Sequence, residues 1–371
     1  MRFAEYVDEW HKYALSDFVT RITRRNKNNE SSLPLTISAQ YGLVDQITFF
    51  NKTVASIDLS GYYLLYNGDF AYNKSYSNDY AWGAVKRLDK YEKGCLSSLY
   101  FVFRPTDKVD SDYLTHYFET SKWHKGISDI AGEGARNHGL LNMAVDDYFA
   151  TKHYLPSLSE QKEIACFLNL ITKRIEIQNK IISKYETLIK GICDTLFTET
   201  EENVLPLKAI ASIDKGQQIN GLSLAKTGTY YYLNGGITPS GYVDDYNTSE
   251  NTIAISEGGN SCGFVSYNTQ KFWSGGHCYT LKIKSTQCRS KFLFFYLKYR
   301  EKDIMQLRVG SGLPNIQKKS LENFVVPLPT FEKQCYIERI LESITAKKEI
   351  ETALLGQFQS QKKFLLSKMF I

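Results

Sequence analysis

The chain repeats one pattern at a distance of 173 residues, and this repeat constrains the fold more than any other feature. Residues 155–161 read LPSLSEQ and residues 328–334 read LPTFEKQ, and each segment opens a long stretch of helical apolar spacing. The register continues without a gap, since Leu168 matches Leu341 and Phe197 matches Phe370. An internal repeat of this length predicts two similar modules, each a variable segment of about 130–150 residues followed by a helix of about 40 residues.

Both long stretches carry mostly apolar residues at alternating steps of four and three, which is the heptad seam of a coiled coil. Ser159, followed by an acid and Gln161, predicts the start of the first helix. Helices of this size are roughly 55–60 Å long. We therefore expect the two to pair with each other as an antiparallel coiled coil. The predicted seam residues are Ile164, Leu168, Ile171, Ile175, Gln178, Ile182, Ile189, Ile337, Leu341, Ile344, Glu351, Leu355 and Phe358.

The two seams are interrupted by polar residues near the middle of each helix, at Gln178 and at Lys348 and Glu351. In an antiparallel pair the two midpoints face each other. A buried polar layer there would fix the register at some cost in stability. The alternative is that Gln178 lies on an exposed flank of its helix.

The segment that precedes each helix predicts a mixed module of strands and short helices. Strand-like runs occur at residues 35–38, 62–66, 99–103, 252–256 and 278–283. Helices are expected at residues 112–120 and 291–300, and glycine pairs at 235–236, 258–259 and 275–276 mark turns. The predicted fold class is α+β, with two pseudo-repeated mixed α/β modules, each followed by a long helix. The predicted segments are 1–154 and 199–327 for the modules, and 155–198 and 328–371 for the helical regions.

Composition excludes several classes of protein. With 371 residues, of which 43% are hydrophobic, the chain can bury two or three domain cores. Its longest apolar run, at residues 292–297, is too short to span a bilayer, and its first residues carry acids where a secretory signal would be apolar. Seven cysteines without a Cys-x-x-Cys pair indicate reduced thiols. We therefore expect a cytoplasmic protein that holds no metal ion.

No motif of a common enzyme class is present. The chain lacks a phosphate-binding Gly-x-x-x-x-Gly-Lys motif, and it contains no Pro-Pro pair of the kind found in amino-methyltransferase motifs. The sequence therefore predicts a non-catalytic protein. Two alternatives stay open at this point, namely an enzyme of another class and a structural adaptor whose coiled coil binds proteins and whose modules bind no DNA. Salt separates the adaptor from a DNA-binding protein, because only the latter loses affinity steeply as salt rises.

The formal net charge of +5 is only weakly basic, so any nucleic-acid-binding face must come from segregated charge. Residues 21–28 form a basic run rich in amides, and the glycine-rich loops at 132–139 and 310–315 occupy equivalent places in the two modules. The alternatives are a solvated surface segment for the first and tight packing turns for the loops. The candidate DNA contacts are Arg21, Arg24, Arg25, Lys74, Arg136, Asn137, Lys226, Arg308, Asn315, Lys318 and Lys319.

Taken together, these features make the chain resemble the specificity subunit of type I restriction–modification systems over essentially its whole length. The most specific marks are the two Leu-Pro-x-x-x-x-Gln helix starts and the closing residues 364–370, FLLSKMF. The first module also resembles a known type of recognition domain in residues 68–75, GDFAYNKS, and 134–142, GARNHGLLN. The clearest mark of the second module is GSGLPNI at 310–316.

The resemblance implies two target recognition domains, each of which reads one half of a bipartite site in double-stranded DNA. It implies that the two helices set the spacer between the half-sites and dock two modification subunits, joined by two restriction subunits where cleavage accompanies methylation. S-adenosylmethionine, ATP and Mg²⁺ would be bound by those partner subunits and none by this chain. The chain itself would determine which DNA sequence is recognised and would perform no catalysis, in agreement with the absent enzyme motifs.

Overall fold

The protein forms two compact units that share the two long helices. The computed structural model describes residues 2–52, 54–77, 80–131, 136–137, 139–198, 203–310, 312 and 314–371. Unit 1 consists of Met1–Gln178 and Leu354–Ile371, and unit 2 consists of Asn179–Ala353. Both boundaries fall inside long helices, so each unit contains a segment of each helix. The predicted segment boundaries at residues 154, 198 and 327 stay a prediction.

Unit 1 is built from short strands and short helices, some of which are capped by the side chain of the residue before them. Asp110 accepts a hydrogen bond from the Tyr113 backbone N–H at 2.9 Å and so caps a helix. The strands are β1 (His11–Ala14), β2 (Val19–Arg21), β3 (Leu35–Ser38), β4 (Gly42–Asp45), β5 (Tyr63–Tyr66), β6 (Phe70–Asn73), β7 (Ala84–Arg87), β8 (Lys93–Leu96), β9 (Phe101–Pro105), β10 (Arg136–Asn137), β11 (Leu140–Leu141) and β12 (Lys152–Leu155). The helices are α1 (Gln46–Phe50), α2 (Ser111–Tyr117), α3 (His124–Ile130) and α4 (Val145–Ala150), with a 3-10 turn at Leu15–Asp17.

The first long helix, α5 (Leu158–Thr198), runs from unit 1 into unit 2. The strands that follow are β13 (Val204–Pro206), β14 (Ala211–Lys215), β15 (Tyr230–Leu233), β16 (Gly241–Val243), β17 (Thr252–Ser256), β18 (Val265–Asn268), β19 (Trp273–Ser274), β20 (Cys278–Ile283), β21 (Arg308–Val309), β22 (Asn315–Ile316) and β23 (Val325–Pro327). The helices are α6 (Leu207–Ile210), α7 (Ser290–Tyr299), α8 (Glu301–Gln306), α9 (Lys318–Glu322) and α10 (Phe331–Met369), with a 3-10 turn at Gly221–Ser223.

The two units repeat one strand topology. Unit 1 has a four-stranded antiparallel sheet in the order β2-β9-β6-β7, and unit 2 has one in the order β14-β20-β17-β18. Each unit adds a pair of its first and last strands, β1 with β12 and β13 with β23. Each also has a small hairpin ahead of the long helix, β10–β11 and β21–β22. The two modules therefore share this strand order although their sequences differ. The predicted α+β class with pseudo-repeated modules is confirmed.

Aromatic residues account for much of the core of unit 1. Phe70 on β6 stacks on Phe103 of the neighbouring strand with ring centroids 5.6 Å apart, and Tyr72 stacks on Tyr148 at 4.8 Å. These rings are almost completely buried, and such pairs add to the hydrophobic gain from their large areas. In unit 2 the core is mostly aliphatic and joins the central sheet to α7 and to both long helices.

A glutamine near the start of each long helix holds the proline hinge against its module. The Gln161 Oε1 accepts from the Asp110 backbone N–H at 2.9 Å, and its Nε2 donates to the Pro156 carbonyl at 3.0 Å. Gln334 makes the same two contacts, with the Arg289 N–H at 2.9 Å and the Pro329 carbonyl at 2.9 Å. Both glutamines are buried. This pairing explains why proline and glutamine recur five residues apart in both copies.

The long helices contact each other within both units. In unit 1 the guanidinium of Arg174 on α5 lies 4.4 Å from the ring centroid of Phe358 on α10. In unit 2 Glu186 of α5 forms an ion pair with Lys348 of α10 at 2.9 Å. Residue numbers rise along one helix as they fall along the other, so the pairing is antiparallel, as predicted.

Each predicted seam residue is buried or half-buried, which matches a continuous apolar face on each helix. Gln178 is only 5% exposed, so the alternative that placed it on an exposed flank is wrong. Glu351 is half-buried.

Local predictions from the sequence differ from the structure mainly at element ends. Helix α5 begins at Leu158, and its first turn is capped by Ser157, whose hydroxyl accepts from the Glu160 N–H at 3.4 Å. The prediction that Ser159 caps this helix is therefore wrong, and Thr330 caps α10 in the same way through the Lys333 N–H. Within the described ranges, no helix combines the length and apolar character needed to cross a membrane.

Candidate nucleic-acid interface

Three glycine-rich turns that are far apart in the sequence meet at one end of the sheet in unit 2. The Gly275 N–H donates to the Leu233 carbonyl at 2.8 Å, and the Glu257 N–H donates to the His277 carbonyl at 2.9 Å. Gly235 has a φ of +79°, and an added Cβ would lie 2.6 Å from the His277 carbonyl oxygen. Only glycine fits this approach. The turns enclose a cleft of about 610 Å³, which we call the Glu257 cleft.

The floor of the cleft is Glu257, the residue that directly follows β17. It is 8% exposed, and its Oε1 lies 2.7 Å from the Lys215 Nζ and 3.1 Å from the Tyr279 hydroxyl. Burial, together with the neighbouring Glu257 carboxylate, raises the pKa of Tyr279, so the phenol keeps its proton. The second oxygen, Oε2, has no hydrogen-bond partner among the described residues and lies 3.7 Å from the His277 Nδ1. A buried carboxylate oxygen without a donor is costly, and the Glu257 side chain lines a cleft that a ligand can enter.

Of the predicted DNA contacts, one lines this cleft, and two lie in the hairpin and helix next to it in the chain. Asn315 lines it, because β22 bridges to Gly258, and the Gly259 N–H donates to the neighbouring Pro314 carbonyl at 3.1 Å. The backbone N–H of Lys318 contacts the Tyr279 hydroxyl. Arg308 pairs with Ile316 across the hairpin. It is also close enough to Cys262 to lower the pKa of that thiol against the raising effect of burial. The cleft therefore combines a buried acid with cationic and amide side chains.

The comparisons with known proteins agree on one family. Residues 200–358 match the family model for the type I restriction modification DNA specificity domain. A putative type I specificity subunit of Mycoplasma pneumoniae is 34% identical over 123 residues, which cover 33% of this chain and 32% of that relative. A type I restriction enzyme specificity subunit of Methanocaldococcus jannaschii is 29% identical over 316 residues, covering 74% of this chain and 73% of the relative. The chain thus spans about a third of the length of the first relative.

The fold also matches that of a solved structure. The crystal structure of the S subunit of a type I restriction–modification system from M. genitalium matches with a TM-score of 0.68 at 19% identity, covering 100% of this chain and 98% of that one. At this identity the match establishes the fold. Residues 200–358 thus match a type I DNA specificity domain, and the chain as a whole is similar to type I specificity subunits. The resemblance inferred from the helix starts and the module motifs is therefore confirmed.

In unit 1, the motif at residues 68–75 has a structural basis. Asp69 is fully buried and accepts from the Arg24 Nη2 at 2.5 Å, from the Arg104 Nε at 2.6 Å and from the Tyr66 N–H at 2.8 Å. The carboxylate satisfies two guanidinium groups at once, a strong charge-assisted arrangement. Arg24, predicted as a DNA contact, is thus held by Asp69 and stacks on Tyr66 at 4.4 Å.

The other predicted residues of unit 1 lie along its surface. The Arg25 guanidinium donates to the Gly61 carbonyl at 2.6 Å and lies 4.3 Å from the Tyr63 ring centroid. Arg21 is exposed, with its Nη1 3.9 Å from an Asp146 oxygen. Lys74 lies 4.7 Å from the Phe101 ring centroid, and burial lowers its pKa.

The remaining candidate DNA contacts lie in both units. Lys226, Lys318 and Lys319 are exposed in unit 2, and the Lys318 Nζ lies 3.9 Å from a Glu322 oxygen. Arg136 and Asn137 form β10, paired with β11. The loop residues 132–135, 138, 311 and 313 lie outside the described residues. The assignment of all these side chains as DNA contacts stays a prediction.

Sequence reasoning missed three residues of the cleft, Lys215, Glu257 and His277. Each stands next to a strand end, and their neighbours in space are 20 or more residues away in the sequence. The one available signal was the set of glycine pairs at 235–236, 258–259 and 275–276, which the sequence marked only as turns. No group of three or more His, Cys, Asp or Glu side chains with metal-binding geometry occurs in the part of the chain that the structure describes.

Proposed function

We propose that this chain is the DNA-recognition subunit of a type I restriction–modification complex in the cytoplasm. Each module reads one half of a bipartite site in double-stranded DNA, and the chain itself performs no catalysis. The observation that carries the proposal is the duplicated module, with one strand order in both units and a specificity domain matched at residues 200–358. A duplicated recognition unit suits a target that consists of two separate halves.

The Glu257 cleft supports DNA as the ligand. Base edges offer hydrogen-bond donors and acceptors in fixed patterns, and a cleft with an acid, an amide and cations can distinguish them. Lys226, Lys318 and Lys319 are exposed in the same unit and can contact phosphate, which positions the duplex without reading its sequence.

The long helices support docking of modification subunits. While their seam residues are buried, both helices keep large apolar side chains on the surface. On α5 these are Phe167, Leu170, Ile177 and Leu188, and on α10 they are Tyr336, Ile350 and Phe364. These exposed apolar side chains offer surface that a partner protein can cover. We assign it to two modification subunits that bind S-adenosylmethionine and methylate adenine. In complexes that also cleave DNA, two restriction subunits that use ATP and Mg²⁺ complete the assembly.

The proposal is tested by selecting bound duplexes from a randomised library with the full chain assembled with its modification subunits. We expect two short defined sequences separated by a fixed unspecified spacer. We also expect affinity to fall steeply as salt rises, because bound phosphates release counterions. Affinity that does not change with salt, or a library that yields no common sequence, would show that the modules do not read DNA.

A further inference from the structure

In each unit, one charged residue directly follows an inner strand of the four-stranded sheet, β6 in unit 1 and β17 in unit 2. These two residues occupy equivalent positions but carry opposite charges. In unit 1 the Leu141 N–H donates to the Lys74 carbonyl at 3.0 Å, and in unit 2 the Ile316 N–H donates to the Glu257 carbonyl at 2.8 Å. The next residue in each case, Ser75 or Gly258, bridges to the small hairpin. Lys74 follows β6 and Glu257 follows β17, which occupy the same place in their sheets. The same site in the fold therefore presents an ammonium group in one unit and a carboxylate in the other.

Glu257 is held in a fixed position with one oxygen left to accept a hydrogen bond. Lys215 and Tyr279 both contact Oε1, at 2.7 Å and 3.1 Å, so the carboxylate cannot easily rotate. The buried Oε2 has no hydrogen-bond partner among the described residues. The Nδ1 atom of the His277 ring lies 3.7 Å from Oε2, and the His277 side chain is 64% exposed. An exposed ring changes rotamer readily, so it can uncover the oxygen for a ligand.

We propose that Glu257 reads a cytosine in the half-site recognised by unit 2, an inference that rests on the proposed function. In the major groove cytosine presents the N4 amino group as its only polar group, a donor that matches a carboxylate acceptor. Guanine presents two acceptors, thymine presents one, and adenine places the N7 acceptor beside its amino donor. A fixed carboxylate meets a repulsive lone pair at each of these three bases and none at cytosine.

The backbone around Glu257 allows a base edge to come close. Gly235, Gly236, Gly258 and Gly259 line the cleft and carry no side chain that would hold the duplex away. Asn315 and Lys215 line the same cleft, and the Lys215 side chain is half exposed. These groups surround the carboxylate with donors for neighbouring acceptors or phosphate, so the negative charge does not repel the DNA as a whole.

The test compares variants of the full chain, assembled with its modification subunits, in selection from a randomised duplex library. Glu257→Gln keeps the size of the side chain and removes the charge. We expect the preference for cytosine at one position of one half-site to fall about tenfold, with the other half-site unchanged. Glu257→Lys recreates the charge that unit 1 has at this position, and we expect the preference there to move to guanine, whose O6 and N7 accept from lysine. Glu250→Gln, at an exposed acid in the same unit, is the matched control and should select the wild-type sequence.

A second measurement does not depend on folding of the variants. Wild-type protein is titrated with duplexes in which each cytosine of the selected half-site is replaced in turn by its analogue without the N4 amino group. One such position should weaken binding about tenfold.

The outcomes separate the two proposals. A wild-type motif that Glu257→Gln leaves unchanged, or a half-site with no cytosine that needs its amino group, overturns the cytosine assignment and leaves the proposed function standing. A wild-type protein that selects no motif overturns both. If Glu257→Gln abolishes the whole half-site, the analogue titration of the wild-type protein decides.

Discussion

Gln161 and Gln334 are the two residues that best connect the sequence repeat to its physical cause. Each satisfies a backbone N–H at the start of a helix in its module and a carbonyl of the proline hinge. Replacement by leucine keeps the approximate size and leaves both buried backbone groups without a partner. The cost of such a group is about 1–3 kcal/mol.

We therefore predict that Gln161→Leu and Gln334→Leu each lower the free energy of unfolding by about 1–3 kcal/mol. The control is Gln357→Leu, at an exposed position of α10, which should stay within about 0.5 kcal/mol of wild type. Denaturant unfolding of the three variants measures the difference. Equal stability of all three proteins would mean that the repeated glutamine has no structural role in the hinge.

His153 makes the stability of unit 1 depend on pH. The ring lies on β12, buried, with its Nδ1 2.8 Å from the Tyr117 hydroxyl and its Nε2 2.8 Å from the Thr151 hydroxyl. Burial lowers the pKa of His153 from 6.5 to about 4. The folded state therefore holds the ring neutral where the unfolded chain binds a proton, so this stability is present above pH 6.5 and is lost as the pH falls towards 4.

Between pH 7 and pH 5 we expect the protein to lose about 2 kcal/mol of stability through His153 alone. The pKa of Glu119 is lowered to about 2, so the stability that this carboxylate contributes is lost only at more acidic pH. His153→Gln should remove this part of the pH dependence. His11→Gln, at an exposed ring on β1, should keep it. Chemical unfolding at the two pH values checks this, and an unchanged slope in His153→Gln would contradict the assignment.

At the scale of elements, the helices were more predictable than the strands. The heptad seam of α5 is visible in the sequence because the contacts of a helix recur every three or four residues. The partner of a strand is set by distant residues, as for β6, which pairs with β9 some 30 residues later. For the same reason Glu257 was not predicted, since Lys215 and His277 reach it only through the sheet order β14-β20-β17.

The long helices are expected to set the distance between the two half-sites. The boundary between the units falls after Gln178 in α5 and after Ala353 in α10, so a segment inserted there leaves both cores intact. One heptad in each helix adds about 10 Å, which is about three base pairs of DNA. We predict that the spacer in the recognised site lengthens by about three base pairs.

The control for this insertion adds three residues in place of seven at both points. Three residues turn the following apolar seam by about 300° and break its alignment with the preceding one. This variant should fail to methylate any site. A seven-residue insertion that methylates the original site with the original spacer would show that the helices do not act as a ruler.

At the scale of the whole molecule, the repeat predicts that the modules act independently. Each unit has its own core and its own four-stranded sheet. Exchange of residues 1–154 for the corresponding module of a type I specificity subunit should therefore change one half-site and leave the other as before. Comparison of the methylated sites of the two proteins checks this. A change in both halves would mean that the modules read DNA jointly.

The sequence alone predicted the duplicated architecture and the resemblance to type I specificity subunits, because a repeat and a helix seam can both be recognised directly from the residues. It did not predict which side chains would share a site. Arg24 looked like a candidate DNA contact in a basic run, yet it lies against the buried Asp69, 45 residues away. A run of charged residues indicates a solvent-exposed or ligand-binding segment only when no residue distant in the sequence neutralises the charge.

The measurement that tests the central claim most directly is a map of methylated adenines in cells that carry this chain with its modification subunits. The account predicts one split motif, with two short defined halves around a spacer of fixed length, and no such motif in cells without the chain. Assembly of the complex is verified separately by co-purification. An assembled complex that methylates no defined sequence, or one that methylates a single continuous sequence, would contradict recognition by two modules.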